Sequence, residues 1–315
     1  MKQFIEAKYN LHVESIIKLT VKAYKIYCAE GIYILKYHDN PSEAIMFSRL
    51  NMLNLDLFLI PIQSKYDNYI ENYENLYFSI TPFIQDEAQL HQDIRLHFYV
   101  KALAYLHHST SYEVKVSDGF FDESLNYLEQ QIQSVKKELQ SRMERVERGD
   151  YHTPSDWYFL MNYDHFMKSL LEAGRRVDNL EDEWKRLGAI RLSLTYQNFA
   201  YEHVIVKHQK IISLDKMAIA PSIYDLKSLF EVAYSSRIDI ASLMKEYFAI
   251  HPLENYEKEW LLAFLFIPKI ERKANDIEDI ESIFQSLAYL QMVEEFASSL
   301  MKMTKEAPKE TKENG

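Results

Sequence analysis

Over roughly the first 85 residues, apolar and polar side chains alternate in short runs, the period of half-buried strands. Ile17-Lys18-Leu19-Thr20-Val21, Ala23-Tyr24-Lys25-Ile26-Tyr27-Cys28 and Ile32-Tyr33-Ile34-Leu35-Lys36 predict three strands, with Ala29-Glu30-Gly31 as the hairpin turn between the last two. Pro41-Ser42-Glu43-Ala44 opens a helix carrying Ile45, Leu50 and Leu53, and two more strands are predicted near 57–63 and 76–82. From Gln89 onward the pattern becomes mostly helical. Leu125, Leu128, Ile132, Val135, Leu139, Met143 and Val146 recur every three or four positions, which predicts a long amphipathic helix ended by Gly149. Thr153-Pro154-Ser155-Asp156 then reads as an N-cap, a proline at the first helical position and an acid at the third. A second helix through Leu160, Tyr163, Phe166, Leu170 and Leu171 would fold back antiparallel, either as an internal hairpin or as a platform for a partner. Lys207-His208-Gln209 is expected to turn a small hairpin, and the chain after Asp225 to be helical to about Met303. Residues 304–315, rich in Lys and Glu, are predicted to be a disordered tail.

Composition narrows the function classes. The chain has 315 residues, 47% hydrophobic and 26% charged, enough for two lobes with their own cores. Its net charge is -11 with no basic tract, so neither nucleic acid nor an anionic membrane is expected as a partner. Cys28 is the only cysteine and sits in a strand-like run, so it is expected to be a small buried hydrophobe. The stretch from Met1 to Asn10 has no apolar core of a secretory signal, and Trp260 to Ile267 falls short of the ~20 residues that span a bilayer. A soluble, cytoplasmic protein is expected. No glycine falls between Gly31 and Gly119, so the strands around Leu19 to Tyr27 have none for a phosphate-cradling loop.

The stretch from Leu194 to Val206 resembles the catalytic loop of the aminoglycoside phosphotransferase/choline kinase superfamily, His-Gly-Asp-x-x-x-x-Asn followed by apolar strand residues. Ile211-Ile212-Ser213-Leu214-Asp215 and Pro221-Ser222-Ile223-Tyr224-Asp225-Leu226 resemble its Ile-Asp-Phe-Asp segment and downstream x-Asp-Leu. The resemblance puts Asn198, flanked by Tyr196, at the position of the proton-accepting Asp, and His203 at that of the metal-binding Asn. Ser213 falls on the main metal ligand, Asp215 on a second acid able to bind one cation, and Asp225 on a structural Asp that accepts hydrogen bonds from loop N–H groups. Sliding the loop by one residue would instead put Gln197 at the base position and Glu202 at the metal position. Lys36 falls where the family's ATP-phosphate Lys ends the third strand, and Glu43 would be its helical ion-pair partner. Leu103-Ala104-Tyr105-Leu106-His107 is similar to the family's first helix of the large lobe. Neighbouring His107 and His108 point about 100° apart on a helix and are poorly placed to chelate one ion. The fold implied is α+β and bilobal: a five-stranded antiparallel N-lobe with one helix over 1–84, then a mainly helical C-lobe over 85–303. The helical hairpin falls at about 122–186, the degenerate loop at 194–215, and Thr81-Pro82-Phe83-Ile84 looks like the hinge. The Glu202-His203 pair resembles the YsxE-like branch of CotS-type spore-coat kinase homologues.

The chemistry implied is that of a kinase scaffold short of its reactive groups. An amide takes no proton from a hydroxyl at neutral pH, and a serine hydroxyl is a neutral oxygen where Mg²⁺ wants carboxylate. The reading is a pseudokinase acting as an interaction or structural protein, spore-coat associated in a spore-forming source, with an unknown protein partner. No cofactor is expected, ATP and Mg²⁺ being the secondary possibility. His203 would bond to a nearby carbonyl or, with Asp215, bind a softer metal. The alternatives are a nucleotide-binding switch without turnover, and a divergent phosphotransferase acting on an alcohol or amino-alcohol, with Glu202 and Asp215 holding metal.

Overall fold

The computed structural model describes residues 1–85 and 90–306, and for 301–306 the backbone alone. Along the chain the elements run α1 (Lys2–Tyr9), β1 (Val13–Lys18), β2 (Ala23–Cys28), β3 (Gly31–His38), α2 (Glu43–Met52), β4 (Glu71–Tyr73), β5 (Leu76–Pro82), α3 (Gln92–Thr110), β6 (Tyr112–Lys115), α4 (Asp118–Glu147) and α5 (Pro154–Leu187). They continue through β7 (Ala189–Thr195), β8 (Val204–Ile205), β9 (Lys210–Ile211), β10 (Ala218–Ala220), α6 (Ile223–Ser235), α7 (Ile240–Ile250), α8 (Asn255–Leu265) and α9 (Asp276–Glu306). The chain forms two compact units. One comprises Met1–Tyr112, Leu192–Ser228 and Leu243–His251; the other comprises Glu113–Arg191, Leu229–Ser242 and Pro252–Gly315.

In the first unit the alternating segments form an antiparallel five-stranded sheet in the order β1-β2-β3-β5-β4. One face packs Ile26, Leu35, Phe78 and Ile80 against Ile5 and Tyr9 of α1, so the small sheet carries two helices where the sequence predicts one. Helix α1 is only eight residues long and closes on Asn10 in the left-handed region, too short to register as a periodic pattern. The strand predicted near 57–63 is replaced by an extended segment with a single bridge, Phe58 to Ile211. Pro61 lacks the N–H a ladder needs. The fourth strand is Glu71–Tyr73 instead, joined to β5 by Glu74 and Asn75, both at positive φ (52° and 64°), as a two-residue hairpin turn requires. The first predicted strand also shifts, ending at Lys18, because Leu19 to Lys22 form the turn into β2 under the Thr20 hydroxyl, which accepts the N–H groups of Lys22 and Ala23. Cys28 is buried, and burial pushes its thiol up. The β8–β9 hairpin turns at Lys207-His208-Gln209, with Gln209 at φ 51°.

In the second unit α4 buries Leu128, Ile132, Leu139 and Val146 along its seam, and Trp184 of α5 meets Phe121 of α4 and Trp260 of α8 at centroid distances of 4.9 and 4.8 Å. The Arg142 guanidinium is buried against the Asp279 carboxylate (2.5 and 3.3 Å). Helix α5 starts on a full capping box: Asp156 N–H donates to the Thr153 hydroxyl (3.2 Å) and Thr153 N–H to the Asp156 carboxylate (3.1 Å). Thr153→Ala should therefore lower stability by about 1 kcal/mol, read as a drop in the urea midpoint; an unchanged midpoint would mean the cap carries no weight. Helix α9 runs through Glu306, so the predicted tail begins inside a helix; 307–315, and Gln89 where the helical pattern is predicted to begin, lie outside the described residues. Among the described residues no helix is long and apolar enough to cross a membrane.

Candidate functional site

The loop after β7 is built around one carboxylate. Asp225, 1% exposed near the start of α6, accepts the N–H of Tyr196 at Oδ2 (2.7 Å) and that of Gln197 at Oδ1 (2.8 Å). His107 Nε2 donates to the same Oδ2 (3.0 Å), while its Nδ1 accepts from the Tyr247 hydroxyl (2.7 Å). His107 is fully buried, so the Asp225–His107–Tyr247 chain satisfies groups that would otherwise be costly in an apolar interior. Asp225 thus holds two backbone amides of the loop, and His107 is its support.

Two successive amides of the loop are held by one carboxylate. Gln197 takes the left-handed conformation (φ 51°) and its side-chain amide turns back to the Thr195 hydroxyl (2.7 Å). The Asn198 amide donates to the Ser213 carbonyl (2.8 Å). His203 Nδ1 donates to the Asn198 carbonyl (2.8 Å) and lies 3.2 Å from the Tyr196 hydroxyl, which itself donates to Ile212 O (2.7 Å). Tyr196 is fully buried between the rings of Tyr99 and Phe58. Burial first, then the carboxylates of Asp215, Asp225 and Glu202, push its phenol far above the ordinary range, so it exchanges no proton near neutrality. Ser213, like Gln197, is left-handed (φ 61°), a conformation that costs of order 1 kcal/mol outside glycine.

The cationic side of the site comes from the sheet. Lys36 on β3 forms an ion pair with Asp215, both side chains less than a third exposed. Burial alone would push the Asp215 carboxyl up; the Lys36 ammonium overrides that and holds it below its ordinary range. Glu43, the expected partner of Lys36, instead accepts from His38 Nδ1 (2.6 Å), and His38 Nε2 accepts from the Ser79 hydroxyl (2.7 Å). His38 lies two residues beyond Lys36 on the same strand face and only five before Glu43, so it intercepts that carboxylate. Beside these pairs lies a cavity of about 270 Å³, lined mainly by apolar groups including Leu19, Ile34, Phe47, Phe83 and Leu214, with Lys36 and Asp215 at one side. Thr81 to Ile84 form part of its wall.

Two side chains that order the site carry no sequence signal of that role. Arg95, buried in α3, donates to the carbonyls of Tyr201 (2.9 Å) and Val204 (2.7 Å), and so ties the loop across more than a hundred residues. His38 reads from sequence as the polar end of a strand.

The residues present do not suit a divalent cation. Asp215, two residues from Ser213, already faces an ammonium; the Asn198 amide presents N–H to a carbonyl, and His203 Nδ1 is engaged. Among the described residues no group of three or more His, Cys, Asp or Glu is arranged to hold a metal ion.

The fold as a whole is similar to that of an aminoglycoside phosphotransferase from Alicyclobacillus acidocaldarius, with a TM-score of 0.69 over 98% of this chain and 97% of that one, at 13% identity. It is also similar to spectinomycin phosphotransferase in complex with ADP and spectinomycin (14% identity, 96% and 97% covered, TM-score 0.47) and to a choline kinase from Streptococcus pneumoniae (13%, 95% and 97%, TM-score 0.43). The fold rests on the first alone, and at such identity it speaks for the fold and not for an activity. No protein-family model matches the chain, and no curated protein matches it in sequence. The chain has the predicted α+β, kinase-like fold.

Proposed function

We propose that this chain is a member of the aminoglycoside phosphotransferase/choline kinase-like superfamily, of the CotS/YsxE type, that has given up phosphoryl transfer and serves as an interaction or structural protein. The observation that supports the reading is the Asn198 amide facing the Ser213 carbonyl: at the position the resemblance gives to the base stands a group with no basicity, turned onto a neutral partner. In-line phosphoryl transfer depends on positioning and on metal-supported charge, so lacking a base and a carboxylate cluster should cost many powers of ten in rate. The Lys36–Asp215 pair supports the same reading, since an ammonium already neutralised has less to offer a phosphate. Its partner is taken to be a protein, in the cytoplasm or, in a spore-forming source, at the spore coat; that last assignment rests on the Glu202-His203 resemblance alone.

The cavity beside Lys36 favours a second reading, nucleotide binding as a switch without turnover. The two separate in one experiment. With Mg²⁺ or Mn²⁺ and a panel of alcohols and amino-alcohols, ATP consumption is expected to equal that of Lys36→Ala. Turnover that disappears in Lys36→Ala would overturn the proposal, whereas calorimetric ATP binding without turnover would select the switch.

A further inference from the structure

We propose that the free edge of β1 pairs antiparallel with the same edge of a second copy of this chain, joining two five-stranded sheets into one. The sheet has two edges, β1 and β4. β4 is blunted: it is three residues long, and its Glu71 is buried against Lys8 and Asn68. β1 is longer, and from Glu14 to Lys18 every residue is exposed, including Ile16 (36%) and Ile17 (49%). Among the described residues no strand lies on its outer side.

The backbone of this edge is set for pairing. Leu19 N–H donates to Ala23 O (2.9 Å), and Lys18 lies opposite Tyr24, so Lys18–Tyr24 is a non-hydrogen-bonded pair of the β1–β2 ladder. By alternation Ile16–Ile26 is another, and the N–H and C=O of Ile16 and Lys18 point away from β2. Glu14 is the extra residue of a bulge between Val13 and Ser15 and has no partner on β2. An unpaired row of this kind is a template for an added strand.

Charge selects which strand. An antiparallel match centred on Ile16 sets Ile16 opposite Ile16 of the second copy, Glu14 opposite its Lys18, and Lys18 opposite its Glu14. Both flanking pairs are then of opposite sign. Lys18 thereby deters indiscriminate strand addition while fitting its own copy, which is specificity by repulsion of other partners. The contact is short, which implies a weak, concentration-dependent dimer rather than an obligate one.

Sedimentation velocity on the full chain, from low to high micromolar concentration, tests this. A reversible monomer–dimer equilibrium is expected. Glu14→Lys alone and Lys18→Glu alone each place like charges in both symmetric pairs and should weaken the dimer by roughly tenfold or more. The double reversal Glu14→Lys/Lys18→Glu should restore it. Ile16→Pro removes an outward N–H that the sheet does not use, and should abolish dimerisation with little change in melting temperature. A chain monomeric throughout, single reversals without effect, or a double reversal that fails to recover the dimer would each overturn the proposal. The charge-reversal set stands by itself if Ile16→Pro does not fold.

Discussion

Asp225→Ala is expected to destabilise the protein by about 3–5 kcal/mol, the effect of leaving buried partners of a lost charge unsatisfied. Three donors converge on this carboxylate: the N–H groups of Tyr196 and Gln197 and His107 Nε2. Each buried group left without a partner costs about 1–3 kcal/mol, so their joint loss is large even after relaxation. Asp225→Asn keeps the volume but turns an N–H₂ toward at least one of the donors, and should cost somewhat less. Urea unfolding followed by tyrosine and tryptophan fluorescence gives the magnitude. Coupling to His107→Ala in a double-mutant cycle gives the share that runs through the buried chain. A loss below about 1 kcal/mol for Asp225→Ala would show that solvent enters and replaces the carboxylate.

Asp215→Asn should raise the affinity for ATP by about tenfold or more. The change removes a negative charge from where a phosphate would lie and frees the Lys36 ammonium, each worth of order 1 kcal/mol at an effective dielectric near 20 after discounting for partial exposure. Isothermal titration of wild type and variant decides it; equal or weaker binding by the variant would mean that Lys36 does not face the cavity's ligand. The same pair makes a pH prediction. The folded-state pKa of Asp215 lies below its unfolded value. Its contribution is therefore fully present above the ordinary carboxylate range and is lost as pH falls through the lower folded value. The stability difference between wild type and Asp215→Asn should accordingly be greatest at neutral pH and shrink on acidification. A difference that grows toward acid would contradict the ion pair.

Local signals were legible where one residue's role is decided by its neighbours in sequence. The 3- and 4-residue spacing predicts α4, and Thr153 with Asp156 predicts the start of α5, because caps and helix faces are set within a few positions. Helix α1 and strand β4 were not legible, being too short to build a period; β4 also turns on Glu74-Asn75 where glycine is the usual sign. In the site, Asn198, Ser213 and Asp225 come from the loop's resemblance, and the contacts that hold them, Asn198 to Ser213 and Tyr196 to Asp225, span 15 and 29 residues. Arg95 acts across distances that leave no local mark, its bonds reaching residues 106 and 109 positions away, and His38 reaches Ser79 across 41. Glu43 lies near both Lys36 and His38 in sequence, and only the fold decides that His38 takes it.

The left-handed peptide geometry at position 213 has an evolutionary corollary. Short polar residues such as aspartate enter that region of backbone space more readily than most, so a carboxylate would be accommodated there without redirecting the main chain. On the proposed reading, in which Ser213 stands where the superfamily carries an acid, the mould for that acid is kept, and the step is open in reverse.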